Sequence, residues 1–108
     1  MFVLAIVGLP TSSVRADDTT PAAVQINIFN YKFDPEIVTV PAGTTVTWTN
    51  KDEIPHTVAS SDKSFKDSSG LDTGDSYAYT FTKPGTYGYY CTLHPFMKGK
   101  VVVVAKGG

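Results

Sequence analysis

The stretch that decides how this chain is interpreted covers residues 91–97 and reads Cys91-Thr92-Leu93-His94-Pro95-Phe96-Met97. It contains the only cysteine, one of the two histidines and one of the two methionines. A thiolate, an imidazole and a thioether are all soft or borderline donors for a transition metal. His94 follows Cys91 after two residues, and Met97 follows His94 after two more. The stretch therefore predicts a metal-binding loop.

One further imidazole would complete a particular kind of site, and the only other histidine is His56. Electron-transfer copper sites of the blue type use one thiolate, two imidazoles and a weak axial thioether. Pro95 stiffens the turn after His94 by fixing its own φ, and His56 also follows a proline. We therefore predict one mononuclear copper ion, cycling between Cu(II) and Cu(I), with the ligands His56, Cys91, His94 and Met97.

Each of these residues also has an ordinary structural interpretation. A lone cysteine is usually a small buried apolar residue, and a lone methionine usually fills a core. Structural zinc uses cysteine and histidine without a thioether, so Met97 disfavours zinc. Cys91 and His94 could form a nucleophile and base, but Pro95 and Met97 would have no role in that chemistry. We therefore do not predict an enzyme.

The rest of the chain carries the pattern of short β-strands. Val24, Ile26 and Ile28 alternate with polar residues, and Val46 and Trp48 share one face of a second alternating run. No run is long and periodic enough for a helix of three turns. The sequence predicts an all-β, Greek-key sandwich or barrel of about seven to eight strands. The strand-like runs are residues 24–28, 31–33, 37–40, 44–50, 77–81, 86–90 and 101–104.

The composition fits one small globular domain. The chain has 108 residues, 42% hydrophobic and 18% charged, with a formal net charge of −1. There is no basic surplus, so nucleic acid is not an expected partner. The stretch 60–75, rich in Ser, Asp, Lys and Gly, predicts a surface loop that the isolated apolar residues Phe65 and Leu71 anchor. The continuous valines of 101–104 predict a strand buried on both faces or at the sandwich centre.

The N-terminus predicts export. An apolar run at 2–9 is followed by Val14-Arg15-Ala16, which is typical of a signal peptide cleaved after Ala16. No basic residue precedes the run, which leaves two explanations, a truncated translated start or an inefficiently recognised segment. A first strand is the alternative to a signal peptide. The run is also shorter than the ~20 residues that span a bilayer. We predict a signal peptide at 1–16, one domain at 17–108, a periplasmic location and no membrane segment.

The ligand loop and the strand that follows it, residues 91–103, resemble the cupredoxin (type I blue copper) family, and most closely its amicyanin branch. The gap of two residues between His94 and Met97 is the feature that distinguishes this branch. Further similarity covers residues 40–56, including Trp48, Asn50 and Pro55-His56, and residues 80–87. The resemblance spans most of the domain and is weakest at 60–75.

The resemblance implies a role for each matching residue. His56, Cys91, His94 and Met97 would bind copper, and electrons would pass through the edge of His94. Asn50 would tie the two ligand-bearing segments together by hydrogen bonds. Redox proteins, a dehydrogenase or a c-type cytochrome, would dock transiently on a monomer. The apolar docking rim would consist of Pro55, Pro95 and Phe96, and the neighbours that tune the ligands would include Thr92 and Leu93.

Two departures from the amicyanin pattern affect these expectations. Leu93 stands where amicyanins have proline, which restores a backbone N–H. If that N–H points at the Cys91 sulfur, it would favour Cu(I), so we predict a higher reduction potential than in a Leu93→Pro variant. Residues 60–75 lack the methionine-containing apolar stretch of amicyanin, so we do not transfer methylamine dehydrogenase as the partner.

Four functions remain open from the sequence. The leading one is a soluble electron carrier, and the main alternative is a periplasmic copper carrier or chaperone that releases its ion. The third is an enzyme: a multicopper reductase would need more than two histidines, and a cysteine hydrolase leaves the methionine unexplained. A metal-free adhesion module leaves the whole loop 91–97 unexplained.

Overall fold

The computed structural model describes residues 22–106, and within them every regular element is a β-strand. This confirms the predicted all-β class and strand number, whereas the leader at 1–16 lies outside the described residues. No helix in the described part could cross a membrane. The strands are β1 (Ala23–Phe29), β2 (Lys32–Asp34), β3 (Ile37–Pro41), β4 (Thr44–Asn50), β5 (Ala59–Ser60), β6 (Ser76–Phe81), β7 (Gly85–Tyr90) and β8 (Lys98–Val104).

The strands form two four-stranded sheets. One has the order β2-β1-β4-β6 and the other has the order β3-β8-β7-β5. The pairs β1–β4 and β3–β8 are parallel, and the other neighbours are antiparallel. From β3 onward each strand up to β7 lies in the sheet opposite to its predecessor. These crossings bring the apolar faces of the two sheets against each other, which is the predicted sandwich.

The core follows from the alternation of side chains along the strands. Val46 and Trp48 on β4 are fully buried, and Trp48 lies opposite Ile26 of β1 in the pairing register. On β8 the alternation also holds, because Val101 and Val103 are buried while their neighbours are not. The predicted central place of β8 is confirmed, but burial on both of its faces is wrong.

The chain reverses between β1 and β2 at Asn30 and Tyr31, although the sequence pattern places Tyr31 in the strand-like run 31–33. Both residues have positive φ, 56° and 60° respectively. Two residues with positive φ are what the tightest β-hairpin turns require. The Asp52 carboxylate stabilises the turn by accepting hydrogen bonds from the Asn30 amide at 2.7 Å and the Tyr31 amide at 3.1 Å. Polar contacts from another loop thus override the local pattern.

The loop between β5 and β6 is anchored by the two apolar residues that the sequence singled out there. Phe65 and Leu71 are both buried. Leu71 also forms an isolated β-bridge with His56. The β-bridge therefore ties the irregular segment directly to His56, which is a predicted ligand.

Gly99 allows β8 to pack closely beside β7. It lies opposite Tyr89 in the register, and a Cβ at residue 99 would come within 2.3 Å of the Tyr89 ring. Its φ is not in the left-handed region, so its role is space rather than backbone freedom. The Tyr89 ring, fully buried against Trp48 and Phe33, occupies the room that a side chain would take.

Candidate metal centre

The loop between β7 and β8 carries three of the predicted ligands, and its own backbone closes it. The Cys91 amide donates to the Met97 carbonyl at 3.1 Å, and the Met97 amide donates to the His94 carbonyl at 2.8 Å. The His94 amide donates to the Cys91 carbonyl at 3.3 Å. Cys91 and Met97 belong to the buried core, and His94 is half-buried. The short loop therefore fixes the spacing of these residues locally.

His56 reaches the same place from the other ligand-bearing segment. Its amide donates to the Leu71 carbonyl at 3.1 Å, and its carbonyl accepts from the Leu71 amide at 2.8 Å. The imidazole is fully buried, at 0% exposure. A histidine with no solvent contact needs polar partners for its ring nitrogens, and the structure supplies one on each side.

The three side chains His56, Cys91 and His94 converge on one point. The Cys91 Sγ lies 3.7 Å from the His56 Nδ1 and 3.8 Å from the His94 Nδ1. All three donor atoms lie within 4.8 Å of one another. With metal–sulfur and metal–nitrogen bonds of about 2.3 and 2.0 Å, donors 120° apart are separated by about 3.7 Å. The donor set and its spacing therefore fit one transition-metal ion.

Asp52 holds the ring of His56 from the side away from the sulfur. The Asp52 Oδ2 lies 2.8 Å from the His56 Nε2, and the Asp52 side chain is only 11% exposed. Burial raises the pKa of Asp52, but hydrogen bonds from Tyr31, Asn30 and His56 outweigh it and leave the pKa below its usual value. An ionised carboxylate only accepts, so Nε2 carries a proton, and in the neutral imidazole Nδ1 then presents its lone pair.

Asn50 is fully buried, but its hydrogen bonds differ from the predicted ones. Its Nδ2 donates to the carbonyls of Ile54 and Leu71, both at 2.8 Å, and its Oδ1 accepts from the Asp52 amide at 2.8 Å. Ile54 and Asp52 belong to the segment before His56, and Leu71 belongs to the β5–β6 loop that bridges to His56. Asn50 therefore shapes the segment before His56 and does not reach the loop 91–97 in the described structure.

The tie between the two ligand-bearing segments is made by two threonines. The Thr92 amide donates to the Thr57 Oγ1 at 2.8 Å, and the two hydroxyls lie 2.8 Å apart. The Thr57 amide also donates to the Cys91 Sγ at 3.4 Å. The sequence placed Thr92 among the ligand-tuning residues but missed Thr57, although its position directly after His56 was a usable signal.

Leu93 and the residues of the predicted docking rim lie at the surface, near His94. Leu93 is 53% exposed and Phe96 is 69% exposed, and Pro55 and Pro95 are exposed as well. Among the described hydrogen bonds, the backbone amide that donates to the sulfur is that of Thr57. The effect proposed for the Leu93 amide therefore stays a prediction, as does the docking role of the rim.

Tyr31 is the second residue that the sequence did not indicate. Its ring meets the imidazoles of His94 and His56 edge-on, with centroids 5.0 and 5.7 Å apart. It also stacks on Phe96 at 6.4 Å. No local pattern could have shown this, because Tyr31 is 63 residues away from His94 in the chain. Asp52 carried a weak signal, since a carboxylate four residues before a predicted ligand is a candidate partner for its imidazole.

Comparison with known sequences agrees with this geometry. The family model described as a cupredoxin-like domain matches residues 1–103. Amicyanin-alpha of Methylorubrum extorquens is 42% identical over 100 residues, covering 88% of this chain and 84% of the relative. A plastocyanin of Scenedesmus fuscus is 34% identical over 83 residues, covering 66% of this chain and 85% of the relative.

Solved structures share the fold. A purple cupredoxin from Nitrosopumilus maritimus superposes with a TM-score of 0.71 at 38% identity, covering 75% of this chain and 99% of the other. A Cu(I) structure of an amicyanin variant gives a TM-score of 0.72 at 36% identity, covering 76% and 82%. With the matching family model and the convergent His–Cys–His set, these similarities show that this chain belongs to the cupredoxin family.

Proposed function

We propose that this protein carries single electrons at one copper ion held by His56, Cys91, His94 and Met97. The observation that carries the proposal is the approach of two imidazole Nδ1 atoms to a buried cysteine sulfur at 3.7 and 3.8 Å. When bound, copper would supply a one-electron Cu(II)/Cu(I) couple. The amicyanin and plastocyanin relatives support this assignment over zinc.

The polar groups around the donors prepare them for binding. Asp52 keeps the proton of His56 on Nε2, so that Nδ1 faces the sulfur as a free donor. The Thr57 amide donates to the sulfur and stabilises negative charge on it. Because these groups are already placed in the folded chain, little has to rearrange when an electron arrives.

The surface near His94 suits brief contact with a partner. Pro55, Pro95 and Phe96 are exposed and apolar, and His94 is half-buried beside them. A small apolar contact favours complexes that dissociate quickly. We propose that the protein is exported to the periplasm, acts as a monomer, and exchanges electrons there with a dehydrogenase or a c-type cytochrome.

The test is to add Cu(II) to the purified metal-free chain and record the visible spectrum. We expect one equivalent to produce an intense band at about 600 nm, which reports charge transfer from a thiolate to copper. Cys91→Ser should abolish the band. Ser61→Ala, a change at an exposed residue outside the site, should leave the band unchanged. Copper binding without the band, or a band that survives Cys91→Ser, would contradict the proposal.

The alternative of a copper carrier differs in how readily the ion leaves. Cys91 and His56 are both fully buried, which favours retention. We expect the oxidised and the reduced protein to lose copper slowly to an excess of a competing chelator. Rapid release from the reduced form would favour the carrier instead.

A further inference from the structure

The two imidazoles of the site are held in different ways. The His56 Nε2 is bonded to Asp52 at 2.8 Å. In the described residues the side-chain contact of His94 to a polar atom is only the one from its Nδ1 to the Cys91 sulfur. The half-buried ring lies beside two aromatic side chains, Tyr31 at 5.0 Å and Phe96 at 6.1 Å. Packing must therefore fix the orientation of His94.

Tyr31 is the ring best placed to do this. It meets the His94 imidazole at an interplanar angle of 86° and the His56 imidazole at 88°. Edge-to-face contact is one of the preferred arrangements of aromatic rings. Tyr31 also stacks on the far more exposed Phe96 at an angle of 23°. One side chain thus touches both imidazoles and the outermost aromatic residue of the rim.

The position of Tyr31 depends on Asp52. Tyr31 has a φ of 60°, which is unfavourable for a bulky side chain. The Asp52 carboxylate accepts from the amides of both residues of this turn, and the same carboxylate accepts from His56. Such a conformation persists only where the surroundings enforce it. One buried carboxylate therefore places the His56 ring directly and the His94 ring through Tyr31.

We propose that Tyr31 is a positioning residue for His94, and that Asp52 holds Tyr31 in place. It keeps the His94 imidazole turned towards the Cys91 sulfur before any metal arrives. The inference rests on the proposed metal centre, but the contact itself exists in the metal-free chain. The 30–31 turn thus adds Tyr31 to the predicted rim of Pro55, Pro95 and Phe96.

The test measures the ring protons of His94 by NMR in the metal-free protein. In the wild type we expect the ring current of Tyr31 to displace the chemical shifts of these protons. Tyr31→Phe keeps the ring and should keep the displacement, whereas Tyr31→Leu should remove the contribution of Tyr31 and leave only that of Phe96 and His56. Each edge-to-face pair corresponds to a factor of about two to ten in an equilibrium, so His94 in Tyr31→Leu should populate further orientations. Phe29→Leu removes an exposed aromatic ring from the same hairpin and is the matched control. It should leave the His94 signals unchanged.

A second variant tests the part played by the carboxylate. Asp52→Ala removes the acceptor for the Asn30 and Tyr31 amides without touching the aromatic ring. We expect the Tyr31 contribution to the His94 displacement to be lost in this variant as it is in Tyr31→Leu. Unchanged His94 signals in either variant, with the backbone spectrum still that of the folded protein, would overturn the corresponding half of the proposal.

After copper loading, the same variants separate this inference from the proposed function. We expect Tyr31→Leu to retain the thiolate band and to lower the electron self-exchange rate by about two- to tenfold, because His94 is less well held. An unchanged self-exchange rate would count against the positioning role. A wild-type protein that shows the His94 displacement but no thiolate band would instead defeat the proposed function alone.

Discussion

His56 and His94 offer the same donor atom to the site, but the segments that carry them are stabilised by different forces. Around His56, the residues Asn50 and Asp52 are buried and joined by hydrogen bonds to one another and to the loop at Leu71. In the loop 91–97, four of the seven residues are exposed, and the backbone closes on itself. The first segment depends on polar contacts at long range in the chain, and the second on short-range geometry and apolar support.

This difference teaches how such a site can be both rigid and accessible. A buried polar network is rigid only if every member is satisfied, because an orphaned buried donor or acceptor is costly. The exposed loop has no such requirement, since water can satisfy its polar groups. We therefore expect changes to the His56 side to affect the whole fold, and changes at the tip of the loop to affect mainly exchange with partners.

The largest expected effect comes from Asn50→Ala. The change removes an amide that contacts the Ile54 and Leu71 carbonyls and the Asp52 amide; the last two contacts are buried and the first is partly buried. The Leu71 carbonyl keeps the His56 amide, but the Ile54 carbonyl and the Asp52 amide lose this partner. Each such loss costs about 1–3 kcal/mol, so we expect the free energy of unfolding to fall by about 3 kcal/mol. Urea unfolding of the metal-free protein measures it. Asn27→Ala, on the outer face of β1, is the control and should change it by less than about 0.5 kcal/mol.

The second prediction concerns the apolar support beneath the loop. Burial raises the pKa of Tyr89 to about 12, and the Tyr89 hydroxyl has no hydrogen-bond partner among the described residues. The folded chain therefore favours the neutral phenol. The neutral Tyr89 phenol contributes fully to the free energy of unfolding below pH ~10, which is the pKa of tyrosine in the unfolded chain. This contribution is lost as the pH rises towards 12.

Comparison with Tyr89→Phe isolates that contribution. Two pH units correspond to about 2–3 kcal/mol, which the wild type should lose between pH 10 and 12 in excess of the variant. At pH 7 the variant should be as stable as the wild type or more stable, because no hydrogen bond is removed. Parallel pH profiles for the two proteins would show that Tyr89 does not ionise with the fold as expected.

A third prediction tests the closeness of β7 and β8, which sets the width of the ligand loop. Gly99→Ala would place a Cβ within 2.3 Å of the Tyr89 ring. Because overpacking a core costs about 1–3 kcal/mol, the midpoint of urea unfolding should fall accordingly. Gly70→Ala is the matched control, since no atom lies within 4 Å of the added carbon. If both variants unfold alike, the Tyr89 ring does not require the glycine.

The smallest expected effect on stability is that of Phe96→Ala. The side chain is 69% exposed and its main contacts are the Tyr31 and His94 rings. We expect the free energy of unfolding to change by less than about 1 kcal/mol. The rate of electron exchange with a redox partner should nevertheless fall, and stopped-flow measurements at several salt concentrations would show it. A large loss of stability would mean that the loop tip belongs to the rigid part of the site.

Much of the fold could be predicted from the sequence, because strand alternation has a short period. The buried faces of β1 and β4 were visible in Ile26, Ile28, Val46 and Trp48. The β1–β2 turn was not visible, because Tyr31 is a poor turn residue and is held by a carboxylate 21 residues away. For β8, the valine run concealed an alternation that only the position of the neighbouring sheet decides.

The sequence by itself determined the kinds of donor atom and their spacing in the loop 91–97, because both are local and chemically distinctive. It also made His56 the partner imidazole, as the only other histidine. Only the tertiary structure decided which groups orient those donors. Asp52 with Tyr31, and Thr57 with Thr92, are contacts 21 and 35 residues apart. A linear pattern does not show which loops meet, because that depends on how the two sheets pack.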